Sequence, residues 1–349
     1  MARGEFELIE SLFLPLTAGH PGALGLKDDA ALIDVPQGYE LAVTTDALVA
    51  GVHFLPDDPP HRIAQKIMRV NLSDLAAMGA RPLGVFLAAC FPQGVKENWL
   101  EGFAAGLKAD VAEFSCPVLG GDTVATPGPA TFSLTALGVV EKGRGLKRSS
   151  AKVGDLLCVS GTIGDAVLGL RLLTRSSSVD CRVKPGNDVS TVKIVMPGLD
   201  PGIYEEHSAF LIDRYHLPQP RVGLGQKLIG LANAAMDISD GLIGDLGHIC
   251  RASGVGARIE ADRIPFSSAA KAGLDAGIAT LEDLLTGGDD YELLFTISVS
   301  RRSQLELLAK EADLLLTVIG SIIEGQGVEV VDRNGRSMAF GSEGYLHFR

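Results

Sequence analysis

Apolar positions recur along the chain with two periods. Over Pro60–Met78 the residues Ile63, Ile67, Val70 and Leu75 fall roughly on one helical face. Over Glu97–Phe114 the residues Leu100, Phe103, Leu107 and Val111 do the same, so both stretches predict amphipathic helices. Leu83–Phe91 is a short apolar run of strand type, and Pro117–Leu119 and Ala130–Val140 read likewise. Upstream, residues 5–14 fit a short helix, and Ala30–Ile33 and Glu40–Thr45 fit strands. Downstream the pattern predicts strand Leu156–Ser160, helix Asp165–Leu173, helices around Ala209–Tyr215 and Gly225–Asn233, strand Ala234–Ile238 and helix Leu242–Ala252. Strands near Ala257–Ile259 and Tyr291–Ile297 and helix Arg302–Glu311 complete it. Strand and helix alternate, which predicts an α/β or α+β protein.

Two segments break the pattern. Glu141–Asp155 is polar, basic and Gly-containing, and it divides an N-terminal domain over 1–140 from a C-terminal domain over 141–349. The total of 349 residues agrees with two domains at about 150 residues each. Thr174–Tyr204 holds three Pro-Gly dipeptides and no sustained period. So long a structureless connection is uncommon inside a compact domain. A disordered surface insertion over 175–203 is expected, with a functional lid as the alternative.

Composition narrows the chemistry. Forty-three acidic against 31 basic residues give a net charge of −12, which argues against a general nucleic-acid binder. It leaves small phosphates open, because divalent cations bridge carboxylate to phosphate. Five cysteines without a CxxC pair provide neither a disulfide framework nor a zinc signature, and a reducing cytoplasm is the simplest compartment. The N-terminus carries Glu5, Glu7 and Glu10 where a signal peptide needs a basic start and an apolar run. No stretch reads as membrane-spanning.

Acidic clusters flanked by small residues recur: Lys27-Asp28-Asp29, Thr44-Thr45-Asp46, Asn71-Leu72-Ser73-Asp74, Gly120-Gly121-Asp122-Thr123, Asp237-Ile238-Ser239-Asp240-Gly241 and Gly287-Gly288-Asp289-Asp290-Tyr291-Glu292. Any one of them is more simply a turn or a helix cap. Six together, if they converge, repel one another and need cations, and hard oxygen donors select Mg²⁺ or Ca²⁺ over zinc. No HExxH, P-loop, dinucleotide fingerprint or protein-kinase set occurs. Ser160-Gly161-Thr162-Ile163-Gly164-Asp165 could offer backbone N–H groups to an anion. His53 reads equally as a phosphate contact or a surface-loop histidine, and Arg148 more simply as a solvated linker charge.

Several strings together resemble one family. GEFELIESLF, KDDAALI, LAVTTDALVAGVHF, VNLSDLAAMGARP, GGDTVATPG, VSGTIGDAVLGL, AMDISDGLIGDLGHI and LTGGDDYELLF resemble bacterial thiamine-monophosphate kinase, in order and spacing from residue 4 to about residue 296 outside the insertion. The TTD, NLSDLAAMGA and GGDT elements alone are shared by the wider PurM-like (aminoimidazole ribonucleotide synthetase) superfamily. The resemblance implies a two-domain PurM-like α/β architecture and a homodimer that pairs its N-terminal sheets. It implies transfer of the ATP γ-phosphoryl group to thiamine monophosphate with several Mg²⁺ ions. Carried over by position, Asp29, Thr44, Thr45, Asp46, Asp74, Asp122 and Asp237 would be metal ligands, with Asp240 on a further ion. Gly121, Asp122, Arg148 and Ser239 would contact ATP, and His53 and Asp289 the thiamine monophosphate. Phe340 is the nearest candidate for the family's late aromatic.

The chain departs from the family at Lys27, where a Gly is usual, and at Asp289, where Glu is common. Three rival readings stay open: a sister synthetase with another acceptor, a non-catalytic cation binder, and a phosphatase. A selenophosphate enzyme would need a reactive Cys near its N-terminus, whereas the first here is Cys90 in an apolar run.

Overall fold

The computed structural model describes residues 7, 9–28, 30–178, 201–341 and 344. The N-terminal half is a four-stranded sheet with helices on one face. Its elements are β1 (Tyr39–Val49), α1 (Pro60–Ala77), β2 (Arg81–Pro92), α2 (Glu97–Phe114), β3 (Val118–Thr126) and β4 (Thr131–Glu141). The strand order is β1-β4-β2-β3, with only β2 and β3 parallel. Alternate residues of β4 and β2 (Phe132, Leu134, Ala136; Val85, Leu87, Ala89, Phe91) pack under α1 and α2 with Ile67, Phe103 and Leu107. The opposite face is open, and Leu41, Val43 and Val124 are exposed on it.

The C-terminal half begins with β5 (Leu156–Ser160), α3 (Asp165–Ser178), α4 (Pro201–His216), α5 (Val222–Leu228), β6 (Ala232–Asp237) and α6 (Leu242–Ser253). It continues with β7 (Gly256–Glu260), α7 (Ser268–Asp275), α8 (Leu281–Thr286), β8 (Leu293–Ile297), α9 (Arg302–Ala312), β9 (Leu316–Ile323), β10 (Gly327–Val331) and β11 (Ser337–Met338). Seven strands form one sheet in the order β11-β10-β7-β9-β5-β8-β6. Every residue of β8 is buried, from Leu293 to Ile297, as expected of a strand covered on both faces. Among the described residues no helix is long and apolar enough to cross a membrane.

Helix α1 is the seam between the halves. Ile63 to Ser73 is buried without interruption, so the helix packs on more than the one face its periodicity marks. Its polar residues are buried because each finds a partner. Arg69 forms paired hydrogen bonds with Asp110 on α2 and donates to the Pro218 carbonyl beyond α4. Ser73 donates to Asp237 at 2.8 Å, and outside the buried stretch the partly exposed Arg62 pairs with Asp213. Such pairing is what allows charges to be buried at all.

The structure corrects several sequence expectations. Of the helix expected over 5–14, the described residues are helical at Glu7 and over Ile9–Phe13, where the winding is of π type, and the chain tightens into a 3-10 turn at Leu14–Thr17; Pro15 lacks the N–H that a continuing helix needs. Ala30–Ile33 is not a strand; among its residues Leu32 is hydrogen-bonded back to Gly22 in a loop. α3 runs on to Ser178 and α4 starts at Pro201, so the ends of the expected insertion over 175–203 are helical and its middle lies outside the described residues. Lys27 adopts φ −111°, while the left-handed conformation falls on Leu26 at φ 56°; the turn is met without a glycine at 27.

Candidate active site

Four segments converge on a cleft of about 330 Å³ between the halves. β1 contributes Asp46, and the turn after it contributes Val52 and His53. α1 contributes Val70 and Asp74, the end of β6 contributes Asp237, Ser239 and Asp240, and the 287–291 loop contributes Gly287, Asp289 and Tyr291. α3 closes one side with Leu170.

Local geometry fixes these groups. The Asp245 carboxylate at the start of α6 accepts from the backbone N–H of Ser239 and Asp240, at 2.9 and 3.0 Å. The chain then turns at Gly241 with φ 115°, where a Cβ would stand 2.7 Å from the Thr286 backbone. The 287–291 loop lies directly on this turn: Asp289 N donates to Ser239 O and Tyr291 N to Ile238 O, both at 2.8 Å. Gly288 (φ 72°) is required there, because a Cβ would meet Ser239 O at 2.2 Å. His53 accepts from the Val49 N–H through Nδ1 at 3.1 Å, which aims its ring at the cleft wall.

The cleft is electrostatically unbalanced. Burial, then the neighbouring Asp74 and Asp240 carboxylates, push Asp46 up to about 6. Burial, then Asp74, push Asp237 up to about 8, against the opposing effects of the Ser73 hydroxyl and Arg148. Burial and then Asp240 raise Asp245 to about 7. Asp74 is also raised by burial, partly offset by the Thr44 hydroxyl, which donates at 2.5 Å, and by Arg148. Arg148 is therefore within electrostatic reach of Asp74, Asp237 and Asp245, and its charge has the sign these groups lack.

Apart from the His53 ring, the donors facing the cleft are carboxylate and hydroxyl oxygens without a thiolate, which fits a hard cation such as Mg²⁺. Among the described residues no three His, Cys, Asp or Glu side chains are already grouped around one metal position. The carboxylates that repel one another are thus near, but not closed on a single point.

Not every residue singled out from sequence meets here. Ala47, Ser133, Ala88 and Asp122 stand opposite one another across β1, β4, β2 and β3. Asp122 is therefore three strand spacings from β1, about 14 Å, and it shares the open face with Ala47 while Asp46 faces the helices. Thr45 also points to the open face and accepts from Thr135 at 3.1 Å. Gly121 and Asp122 line a second hollow of about 520 Å³ with Phe13, Leu26, Asp28 and Phe86. Phe340 packs against the C-terminal core and not on the cleft. Asp29 lies outside the described residues. Sequence reasoning passed over Lys66, whose buried ammonium holds Asp289 at 2.8 Å, and Asp245. A lysine on a helix of mixed periodicity carries no sequence signal for burial.

The family model for the AIR synthase related protein N-terminal domain matches residues 27–140, and that for the C-terminal domain matches residues 152–333. Thiamine-monophosphate kinase of Salmonella typhimurium (strain LT2) is 41% identical over 350 residues, covering 100% of this chain and 99% of that one. The crystal structure of thiamine-monophosphate kinase from Stenotrophomonas maltophilia K279a is similar at TM-score 0.80 and 39% identity, covering 97% of this chain and 99% of that one. AaThiL complexed with AMPPCP and TMP is similar at TM-score 0.73 and 30% identity, covering 100% and 99%. With its interdomain carboxylate cleft and these full-length relatives, the chain belongs to the thiamine-monophosphate kinases, an enzyme family within the AIR synthase related proteins.

Proposed function

We propose that the chain transfers the γ-phosphoryl group of ATP directly to the phosphate of thiamine monophosphate, giving ADP and thiamine diphosphate. The observation that carries this reading is the cleft itself, where carboxylates from both halves face one another with Arg148 in reach. A phosphate acceptor has a second pKa of about 6 and is largely a dianion near pH 7, so no general base is required. That agrees with a cleft whose lining, among the described residues, includes one histidine, His53, and no cysteine. The difficulty is electrostatic, since one anion must approach another.

Asp46, Asp74, Asp237 and Asp240, with Thr44, are the residues that would hold Mg²⁺. When bound, Mg²⁺ supplies the positive charge that offsets repulsion between the two phosphates. Arg148 and the Ser239 turn face the ATP phosphates. His53 contacts the acceptor phosphate, and Asp289 receives the organic part of the acceptor. Asp122 and Gly121 act from a second copy of the chain: the open face bearing Leu41, Val43 and Val124 pairs with its counterpart in a homodimer and carries Asp122 to the partner's cleft.

Direct transfer is tested with ATP made chiral at the γ-phosphorus by sulfur and oxygen isotopes. A single in-line displacement inverts the configuration, and a phosphoenzyme route retains it. Retention would overturn the direct mechanism.

A further inference from the structure

Lys66 is 2% exposed in the middle of α1. Its ammonium sits 2.8 Å from Asp289 Oδ2 and 3.8 Å above the centre of the Tyr215 ring on α4. A buried ammonium without a partner is strongly destabilising, and among the described residues Asp289 is the carboxylate that pairs with it. Asp289 holds a left-handed backbone at φ 64°, a conformation that is uncommon outside glycine though Asp tolerates it better than most residues, and here its surroundings hold it in place. The surroundings do so from two sides. The backbone of the 289–291 segment is hydrogen-bonded onto Ile238 and Ser239, and the side chain is held by Lys66 from the other half of the molecule. The carboxylate keeps 30% of its side-chain surface exposed and lines the cleft beside Tyr291.

The cleft already gathers Asp46, Asp74, Asp237 and Asp240. A fifth free carboxylate would add to their repulsion or compete for the same cations. The Lys66 ammonium sets Asp289 apart from that group: it neutralises the charge locally and holds the carboxylate in one orientation. A carboxylate so held suits a hydrogen-bond donor or a delocalised cation, not a phosphate.

We propose that Lys66 is a positioning residue for acceptor recognition: by holding Asp289 it fixes the one carboxylate of the cleft that reads the donor-bearing, cationic ring portion of the acceptor. This rests on the kinase reading above. It assigns Lys66 to acceptor binding and not to ATP or to the transfer step.

The test is steady-state kinetics of wild type, Lys66→Met, Asp289→Asn and the double variant, with ATP and thiamine monophosphate varied in turn. Lys66→Met is expected to raise KM for thiamine monophosphate about 10- to 100-fold, the loss of one well-placed charge-assisted hydrogen bond. kcat should stay within about threefold and KM for ATP within about twofold. In the Asp289→Asn background the Lys66→Met change should add less than about twofold, because its partner's charge is already gone. A merely structural lysine would lower the amount of active enzyme and leave both KM values alone. If Lys66→Met does not fold, the double variant, which leaves no unpaired buried carboxylate, must match Asp289→Asn in KM within twofold. Equal effects on the two KM values, additive effects of the two substitutions, or an unchanged acceptor KM would overturn the proposal. A wild-type protein that makes no thiamine diphosphate would overturn the kinase reading instead.

Discussion

Asp46→Asn should make the metal-free protein more stable while removing its activity. In the fold Asp46 is raised from 3.8 to about 6 by burial and by the Asp74 and Asp240 carboxylates. A raised acid binds its proton more tightly folded than unfolded, so its ionisation opposes folding. The penalty is absent below about pH 3.8, grows as pH rises and is complete above about pH 6. At about 1.4 kcal/mol per pH unit, a rise from 3.8 to about 6 costs about 3 kcal/mol at pH 7.5 and about half that at pH 5. Asparagine has nearly the same shape and no charge, so it removes this cost. For a chain of this size the gain is on the order of 5 °C in Tm. The assay is calorimetric unfolding with a chelator present, at pH 7.5 and pH 5, beside a turnover measurement with Mg-ATP. Adding Mg²⁺ should raise the wild-type Tm more than that of the variant. A variant less stable than wild type at pH 7.5, or an equal increment at both pH values, would refute the electrostatic reasoning; retained turnover would refute the role of Asp46.

Other consequences are equally concrete. Asp74→Ala and Asp122→Ala should each be inactive, yet mixing the two refolded proteins should restore up to about a quarter of wild-type activity through heterodimers with one intact site; no recovery in verified heterodimers would place Asp122 outside the partner's cleft. Glu292 is fully buried and accepts from Ser160, Arg214 and Arg221, so Glu292→Ala should cost about 3–5 kcal/mol in chemical unfolding by stranding two guanidinium groups. A loss under 1 kcal/mol would contradict that reading. Replacing residues 179–200 by a short Gly-Ser link should leave turnover intact, because α3 and α4 pack against each other with Gly169 beside the Leu211 carbonyl; a folded but inactive deletion would make the segment part of the machinery.

Much of this was legible in the sequence, and the exceptions share a cause. Helices α1 and α2 follow from period, and the acidic strings at 74, 237–240 and 289 mark segments that do converge. Period identifies a face, however, and not what lies against it. α1 is buried beyond its apolar stripe because Lys66, Arg69 and Ser73 are paired to Asp289, Asp110 and Asp237, and those partners lie 41 to 223 residues away. Alternation along β1 already separates Thr44 and Asp46 from Thr45, but the distance of Asp122 from them depends on strand order. A strand's alternation tells which residues share a face, but β1 and β3 become opposite edges only through the β1-β4-β2-β3 order. Of the elements after residue 260, β8 and α9 follow from the pattern, while α7, α8, β10 and β11 have too few residues to show a period. Phe340, the nearest counterpart of the family's late aromatic, packs against the C-terminal core instead.

The central claim is that the carboxylate cleft phosphorylates a phosphate. The direct measurement is to incubate the purified protein with Mg-ATP and thiamine monophosphate, with thiamine as a parallel acceptor, and to separate the thiamine phosphates and nucleotides by chromatography. The account predicts thiamine diphosphate from the monophosphate alone, with ADP in equal amount. Phosphate release without a phosphorylated product, or ADP formed with no thiamine diphosphate by a folded, ATP-binding protein, would contradict it.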